Sequence, residues 1–158
     1  MNAVAEDSPS SVKAVSMAIL FLSLAGMAIS AYLTYAHYRH ASTICLPGMD
    51  CDAVLSSPYA QIWGVPLSLL GLAMYAVITI LGFFIWQGKG RRRELLGLGA
   101  YTVALSASLF SLYLYYLEIF EIQAFCTWCI VSSVIAFSLL GLATAFVVCS
   151  LRKWDKEA

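Results

Sequence analysis

Four long apolar runs constrain this chain more than any other feature. A helix rises about 1.5 Å per residue and needs roughly 20 apolar residues to cross the hydrocarbon core of a bilayer. Four segments reach that length: about Val15 to Tyr38, Val65 to Trp86, Leu95 to Phe120 and Cys126 to Leu151. Only 11% of the 158 residues are charged and 61% are hydrophobic, whereas a soluble domain carries about a quarter charged residues. The expected fold is an all-α membrane protein, one four-transmembrane-helix bundle over residues 1–158. The first run continues through Tyr32 and Tyr35, past the ~7–15 residues of a signal-peptide core, and reads as a retained span. Small residues within or beside the spans (Gly71, Gly82, Gly97, Gly99, Gly141) suit close helix packing. Pro66 suits the first turn of the second span, where its missing N–H is harmless.

Charge placement orients the bundle. Nine Lys/Arg balance nine Asp/Glu, so no net field attracts nucleic acid. Lys89, Arg91, Arg92 and Arg93 lie between spans two and three; Arg152, Lys153 and Lys156 follow span four; Lys13 precedes span one. Only Arg39 falls on the opposite side. Basic residues accumulate on the cytoplasmic side. Both termini are therefore expected in the cytoplasm of a multi-pass cell (inner) membrane, with the loop from Arg39 to Gly64 and the turn from Glu121 to Phe125 facing the periplasm or a lumen. Glu118 and Glu121, at the outward end of span three, read as solvated; proximity to the cysteines in the chain would let Glu118 handle a proton. Tyr113, Tyr115, Tyr116, Trp63 and Trp128 read as an interfacial aromatic belt.

Four of the five cysteines fall on the outward side. Cys45 and Cys51 flank a Pro47-Gly48 reversal in the first loop. Cys126-Thr127-Trp128-Cys129 opens span four, where spacing i, i+3 puts both thiols on one helix side. The unsatisfied N–H groups there favour a thiolate. Cys149 lies 20 residues beyond Cys129, about 30 Å along a helix, and reads as a small apolar residue facing lipid or core. The outward four admit three readings: static disulfides, a thiolate cluster for zinc, or a redox relay. A CxxC closes too short a loop to be an effective staple. Oxidising compartments remove free thiolates, and His37 and His40 at a helix end read as interfacial rather than ligating. The relay is the favoured reading, with no metal.

The order of these pairs, together with Cys51-Asp52-Ala53-Val54-Leu55-Ser56-Ser57 and Trp63-Gly64-Val65-Pro66-Leu67-Ser68, resembles the vitamin K epoxide reductase family in its bacterial form. In DsbB-type oxidases, by contrast, the CxxC comes in the first outward loop. The resemblance implies a quinone-dependent thiol-disulfide oxidoreductase with catalytic Cys45, Cys51, Cys126 and Cys129. Cys45 and Cys51 would oxidise a thioredoxin-like partner, Cys126 would exchange with the loop, and Cys129 would pass electrons to a quinone. Ser57, Trp63 and Cys129 are the expected quinone contacts, with Ala53 to Gly64 forming a short helix over the bundle mouth. Ser133 stands where the animal enzymes have tyrosine, and Ala73 to Phe84 lacks their asparagine. An ordinary ubiquinone, menaquinone, phylloquinone or plastoquinone is therefore expected in place of vitamin K epoxide. No thioredoxin-like domain follows span four, so the partner is expected to be a separate protein and the chain a monomer in the lipid bilayer.

Overall fold

The computed structural model describes residues 9–39, 42–88 and 91–157. Lys89 and Gly90 of the basic segment and His40 lie outside the described residues, as do the side chains of Arg152, Lys153 and Lys156. Four long helices dominate: α1 (Pro9–Arg39), α3 (Leu67–Gln87), α4 (Arg91–Leu117) and α5 (Thr127–Glu157). Within them Lys13–Arg39, Leu67–Gln87, Arg91–Ile122 and Thr127–Ser150 are long and apolar enough to cross a membrane. The chain is a multi-pass membrane protein, with the four-helix architecture expected from its apolar runs. Helix α1 packs on α3 and α5, and α4 packs on the same two, so the four close into a ring.

Ile19, Tyr75, Ile78, Ala104, Ile135 and Leu139 form the central core. Lipid supplies no hydrophobic drive for helix association, so small residues and hydroxyl contacts carry much of the packing. The Thr34 hydroxyl donates to the Ser30 carbonyl at 2.7 Å and pairs with Ser68 Oγ at 3.1 Å. The Thr79 hydroxyl donates to the Tyr75 carbonyl at 2.8 Å and pairs with Ser23 Oγ at 2.9 Å. Tyr75 in turn donates to the Ser132 carbonyl at 2.8 Å. These bonds tie α1 to α3 and α3 to α5, and they satisfy hydroxyls that hydrocarbon would leave bare. Gly71 and Gly82 meet α1 side chains closely, as their spacing suggested, but a Cβ on Gly141 would meet nothing within 4 Å.

The first loop departs from the expected single helix over Ala53–Gly64. Helix α2 spans Cys51–Ser56, a 3-10 turn covers Pro58–Ala60, and Gln61–Ile62 (β1) pairs antiparallel with Val65–Pro66 (β2). Pro58 explains the early stop, because the residue before proline is pushed out of the helical region; Ser57 has ψ 152°. Trp63 and Gly64 form the hairpin tip with φ 51° and 79°, the two positive values a tight hairpin turn needs. Pro66 therefore belongs to β2, and α3 begins one residue later at Leu67. Helix α4 ends in a π turn over Glu118–Ile122, followed by Gln123 in the left-handed region at φ 54°.

Gly26 is the tightest crossing of α1 and α3 near the site: a Cβ there would overlap the Tyr75 ring. Gly26→Ala is expected to destabilise the bundle by about 1–3 kcal/mol through overpacking, while Gly141→Ala leaves it unchanged or slightly more stable. Thermal unfolding of both variants in detergent checks this; equal midpoints would contradict the assigned crossing.

Candidate functional site

The first loop is stapled onto the start of α5. The Trp128 indole N–H donates to the Ile44 carbonyl at 2.8 Å, and the Leu46 amide donates to Thr127 Oγ1 at 3.3 Å. The Asp50 amide donates to the Phe125 carbonyl at 3.1 Å. Tyr32 of α1 stacks obliquely on Trp128, with ring centroids 5.4 Å apart. On the loop's other flank, the exposed Asp52 carboxylate accepts from the Thr43 amide at 2.9 Å and the Thr43 hydroxyl at 2.7 Å. These two bonds hold its carboxyl below the usual range. Asp50 caps α2 by accepting from the Ala53 amide at 3.0 Å.

This clamp brings four cysteines into one cluster. Cys45 and Cys51 are disulfide-bonded across the Pro47-Gly48 turn, with Cα atoms 6.1 Å apart. Cys126 and Cys129 are free thiols. Cys51 is 1% exposed and Cys126 fully buried, both in the cluster that Cys45, Cys129, Val54 and Leu55 complete. Cys45 is half-buried, with exposed Ile44 and Leu46 beside it. The loop pair thus presents one sulfur outward and packs the other against the CxxC.

Cys126 lies just before α5 and acts as its N-cap. Its carbonyl accepts from the Ile130 amide at 3.1 Å, and its Sγ accepts from the Cys129 amide at 3.3 Å. Sulfur thus takes the place that a serine or aspartate oxygen usually fills at a helix start. The Cys129 thiol, donating to Cys126, and the Cys129 and Trp128 amides hold the Cys126 thiol below its usual range, against its burial and the nearby Glu118 charge. Cys149 sits toward the far end of α5 and is exposed on the helix surface, away from this cluster.

Beneath the cluster lies a cavity of about 130 Å³, comparable with the ~150 Å³ that admits a benzene-sized ring. Leu33, Met74, Phe110, Leu114 and Ile130 supply apolar walls, and Ser57, Ser68, Tyr75, Ser132 and Ser133 supply hydroxyls. Cys129 lines it; Cys126 does not. Ser57 lines it too, although its hydroxyl donates to the Val54 carbonyl at 2.8 Å as the C-cap of α2. A hydrogen bond from Ser57 to a ligand therefore requires that hydroxyl to rotate. His37 reaches the same cavity and pairs through Nδ1 with the Leu55 carbonyl at 3.3 Å.

Two expectations need correction. Trp63 does not line the cavity: it is 100% exposed at the hairpin tip. Its positive φ and the tight turn aim the indole away from the bundle, a placement that suits an interfacial anchor. Glu118 is not solvated: it is 3% exposed and lines the cavity. The π turn separates the two acidic residues, leaving Glu121 exposed to accept from the Tyr59 hydroxyl at 3.3 Å. The sequence alone did not single out Tyr75, whose hydroxyl joins α3 to α5 at the cavity wall. Its position on the inward face, with Ile78 and Ile85 on the same stripe, was the available signal.

Comparison with known proteins places the chain among relatives. A thiol-disulfide oxidoreductase of Arabidopsis thaliana, LTO1, is 35% identical over 122 residues, covering 72% of this chain. The chain spans about a third of that relative's length (32%). The family model of the Vitamin K epoxide reductase family matches residues 17–144, which takes in α3 and α4 whole, the larger parts of α1 and α5, the loop disulfide and the CxxC. The chain belongs to the vitamin K epoxide reductase family.

Proposed function

We propose that this chain is a membrane thiol-disulfide oxidoreductase that oxidises a thioredoxin-like partner and passes the electrons to a membrane quinone. One observation carries the reading: an oxidised, partly exposed cysteine pair packs directly on a reduced CxxC whose second cysteine lines an apolar cavity. Each step then has a residue placed for it. A partner thiolate attacks Cys45 Sγ, the more exposed sulfur, and the S–S bond breaks with Cys51 as leaving group. The partner's second thiol displaces Cys45, so the partner leaves oxidised and the loop pair is reduced.

Cys51 returns the electrons inward. Its thiolate attacks Cys126 Sγ when Cys126 and Cys129 are disulfide-bonded, and Cys45 then resolves the mixed disulfide. The loop is oxidised again and the CxxC reduced, which is the pairing the structure holds. Burial of Cys51 and Cys126 against each other keeps this exchange out of water, and the N-cap position of Cys126 stabilises the thiolate that it becomes.

The cavity residues fit a quinone head group: an apolar cavity with hydroxyls around it and Cys129 in its wall. A bound quinone would supply a two-electron, two-proton sink. Ser57, Ser68 and Tyr75 offer hydroxyls toward its oxygens, and the apolar walls exclude water. The lining contains no asparagine, and Ser133 donates to the Cys129 carbonyl at 2.9 Å; this favours an ordinary quinone over vitamin K epoxide. The Lys/Arg bias orients the cysteine end away from the cytoplasm.

Purified protein given a reduced thioredoxin-like protein should reduce added quinone, and Cys129→Ala should lower that rate to background; retained turnover would remove Cys129 from the route. Cys51→Ala should accumulate a mixed disulfide between Cys45 and the partner, visible on non-reducing gels, whereas Cys45→Ala should not. Exchange from the reduced CxxC to the loop disulfide should rise with pH as Cys126 ionises, with its midpoint below the ~8.5 of an ordinary thiol. A stopped-flow pH profile measures that midpoint, and a value at or above it would contradict the N-cap argument.

A further inference from the structure

The steps above leave one buried ionisable group unused. Glu118 is 3% exposed at the end of α4 and lines the cavity beside Cys129. Its carboxyl is an electrostatic neighbour of Cys126 and Cys129 at the start of α5. One of its oxygens, Oε2, is buried with no hydrogen-bond partner. A carboxylate oxygen held out of water without a partner is costly, so its retention in the cavity wall calls for a role. The segment carrying it is a π turn, a rare local geometry that recurs at functional sites.

Resting on the proposed quinone-linked reaction, we propose that Glu118 is the proton carrier between the Cys129 thiol and the oxygen of a quinone in the cavity. Oxidation of the CxxC forms one S–S bond, breaks two S–H bonds and reduces one quinone to one quinol, so two protons must travel with the two electrons. Cys126 faces the loop, where its proton is released to water at the cysteine end of the bundle. Water at the same end supplies the second quinol proton. Cys129 lies deeper, in the cavity wall that Glu118 shares. Glu118 takes the Cys129 thiol proton as the electrons leave Cys129 and gives it up on the cavity side, where Oε2 has no competing partner. The other ionisable groups lining the cavity are His37 on α1, Tyr59 in the 3-10 turn, Tyr75 on α3 and Tyr115 on α4. Tyr59 is committed to Glu121, Tyr75 to Ser132 and His37 to Leu55, and Tyr115 is half-exposed against Phe125, which leaves Glu118 as the buried acceptor in the wall that holds Cys129.

A carboxylate that served only to pack or cap the start of α5 would behave differently, because glutamine has the same shape and can accept the same bonds. Two measurements on the full chain in detergent separate the roles. In a Cys126→Ala background without quinone, maleimide labelling of Cys129 should become about ten-fold faster in Glu118→Gln, since a neighbouring negative charge is gone. With both CxxC cysteines present, single-turnover reoxidation of the reduced pair by a soluble short-chain benzoquinone should become about 10²-fold slower in the same variant, the usual loss for a missing proton-transfer group. A more reactive thiol with slower reoxidation is the expected signature. Unchanged reoxidation assigns Glu118 to a structural role and overturns the proposal, as does reoxidation that accelerates with labelling; slower reoxidation with unchanged labelling shows that Glu118 does not act on the Cys129 thiol and also overturns it. If Glu118→Gln does not fold, Glu118→Asp retains the charge and should keep slow labelling with partial reoxidation; loss of both would count against it. Failure of the unaltered protein to be reoxidised by any quinone would instead sink the proposed function, while the labelling arm still decides whether Glu118 and Cys129 share a proton.

Discussion

The contact between Cys51 and Cys126 is the one on which the rest of the site depends. Two sulfurs from segments 75 residues apart in the chain are buried against each other only because the loop is bonded to the first turn of α5. Trp128 and Thr127 hold the loop from within the CxxC itself, so the intervening residues of the motif are structural clamps as well as spacers. Asp52 and Asp50 hold the loop from the other flank through Thr43 and Ala53. Loss of the clamp would separate an outward-facing disulfide from the thiols it must exchange with.

A second constraint comes from the bilayer. With no water in the hydrocarbon core, every hydroxyl inside the bundle needs a partner. The Thr34–Ser68, Thr79–Ser23 and Tyr75–Ser132 pairs meet that need while fixing three helices to one another. The topmost of these contacts also shape the cavity wall. Packing and site construction are thus the same set of bonds at this end of the molecule, whereas the opposite end relies on Ile85, Ala100 and Phe146. Against this background the unpartnered oxygen of Glu118 is conspicuous.

Much of the architecture was legible from residue pattern. Length and hydropathy identified four membrane-crossing helices because a bilayer imposes one dominant period of about 20 residues. The CxxC at a helix start was legible because helix geometry relates residues three apart without reference to the rest of the fold. The segment from Ser57 to Pro66 was not: Pro58 and the Trp63-Gly64 turn break it into three short elements, and turn geometry sends Trp63 outward. Glu118 was misplaced for a related reason. A regular α-helix end would leave it among solvated groups, but the π turn rotates it inward and leaves Glu121 outside to meet Tyr59.

By itself the sequence determined the number of spans, the side on which the basic residues collect, the two cysteine pairs and the exclusion of Cys149 by distance along one helix. These are local or one-dimensional properties, set by apolar length, charge count and helical rise. Tertiary structure alone decided which loop sulfur packs against the CxxC, that Trp63 stands apart from the cavity, and that Glu118 enters it. Those outcomes depend on how the loop and four helices close around a shared space, and chain spacing does not encode contacts between segments so far apart.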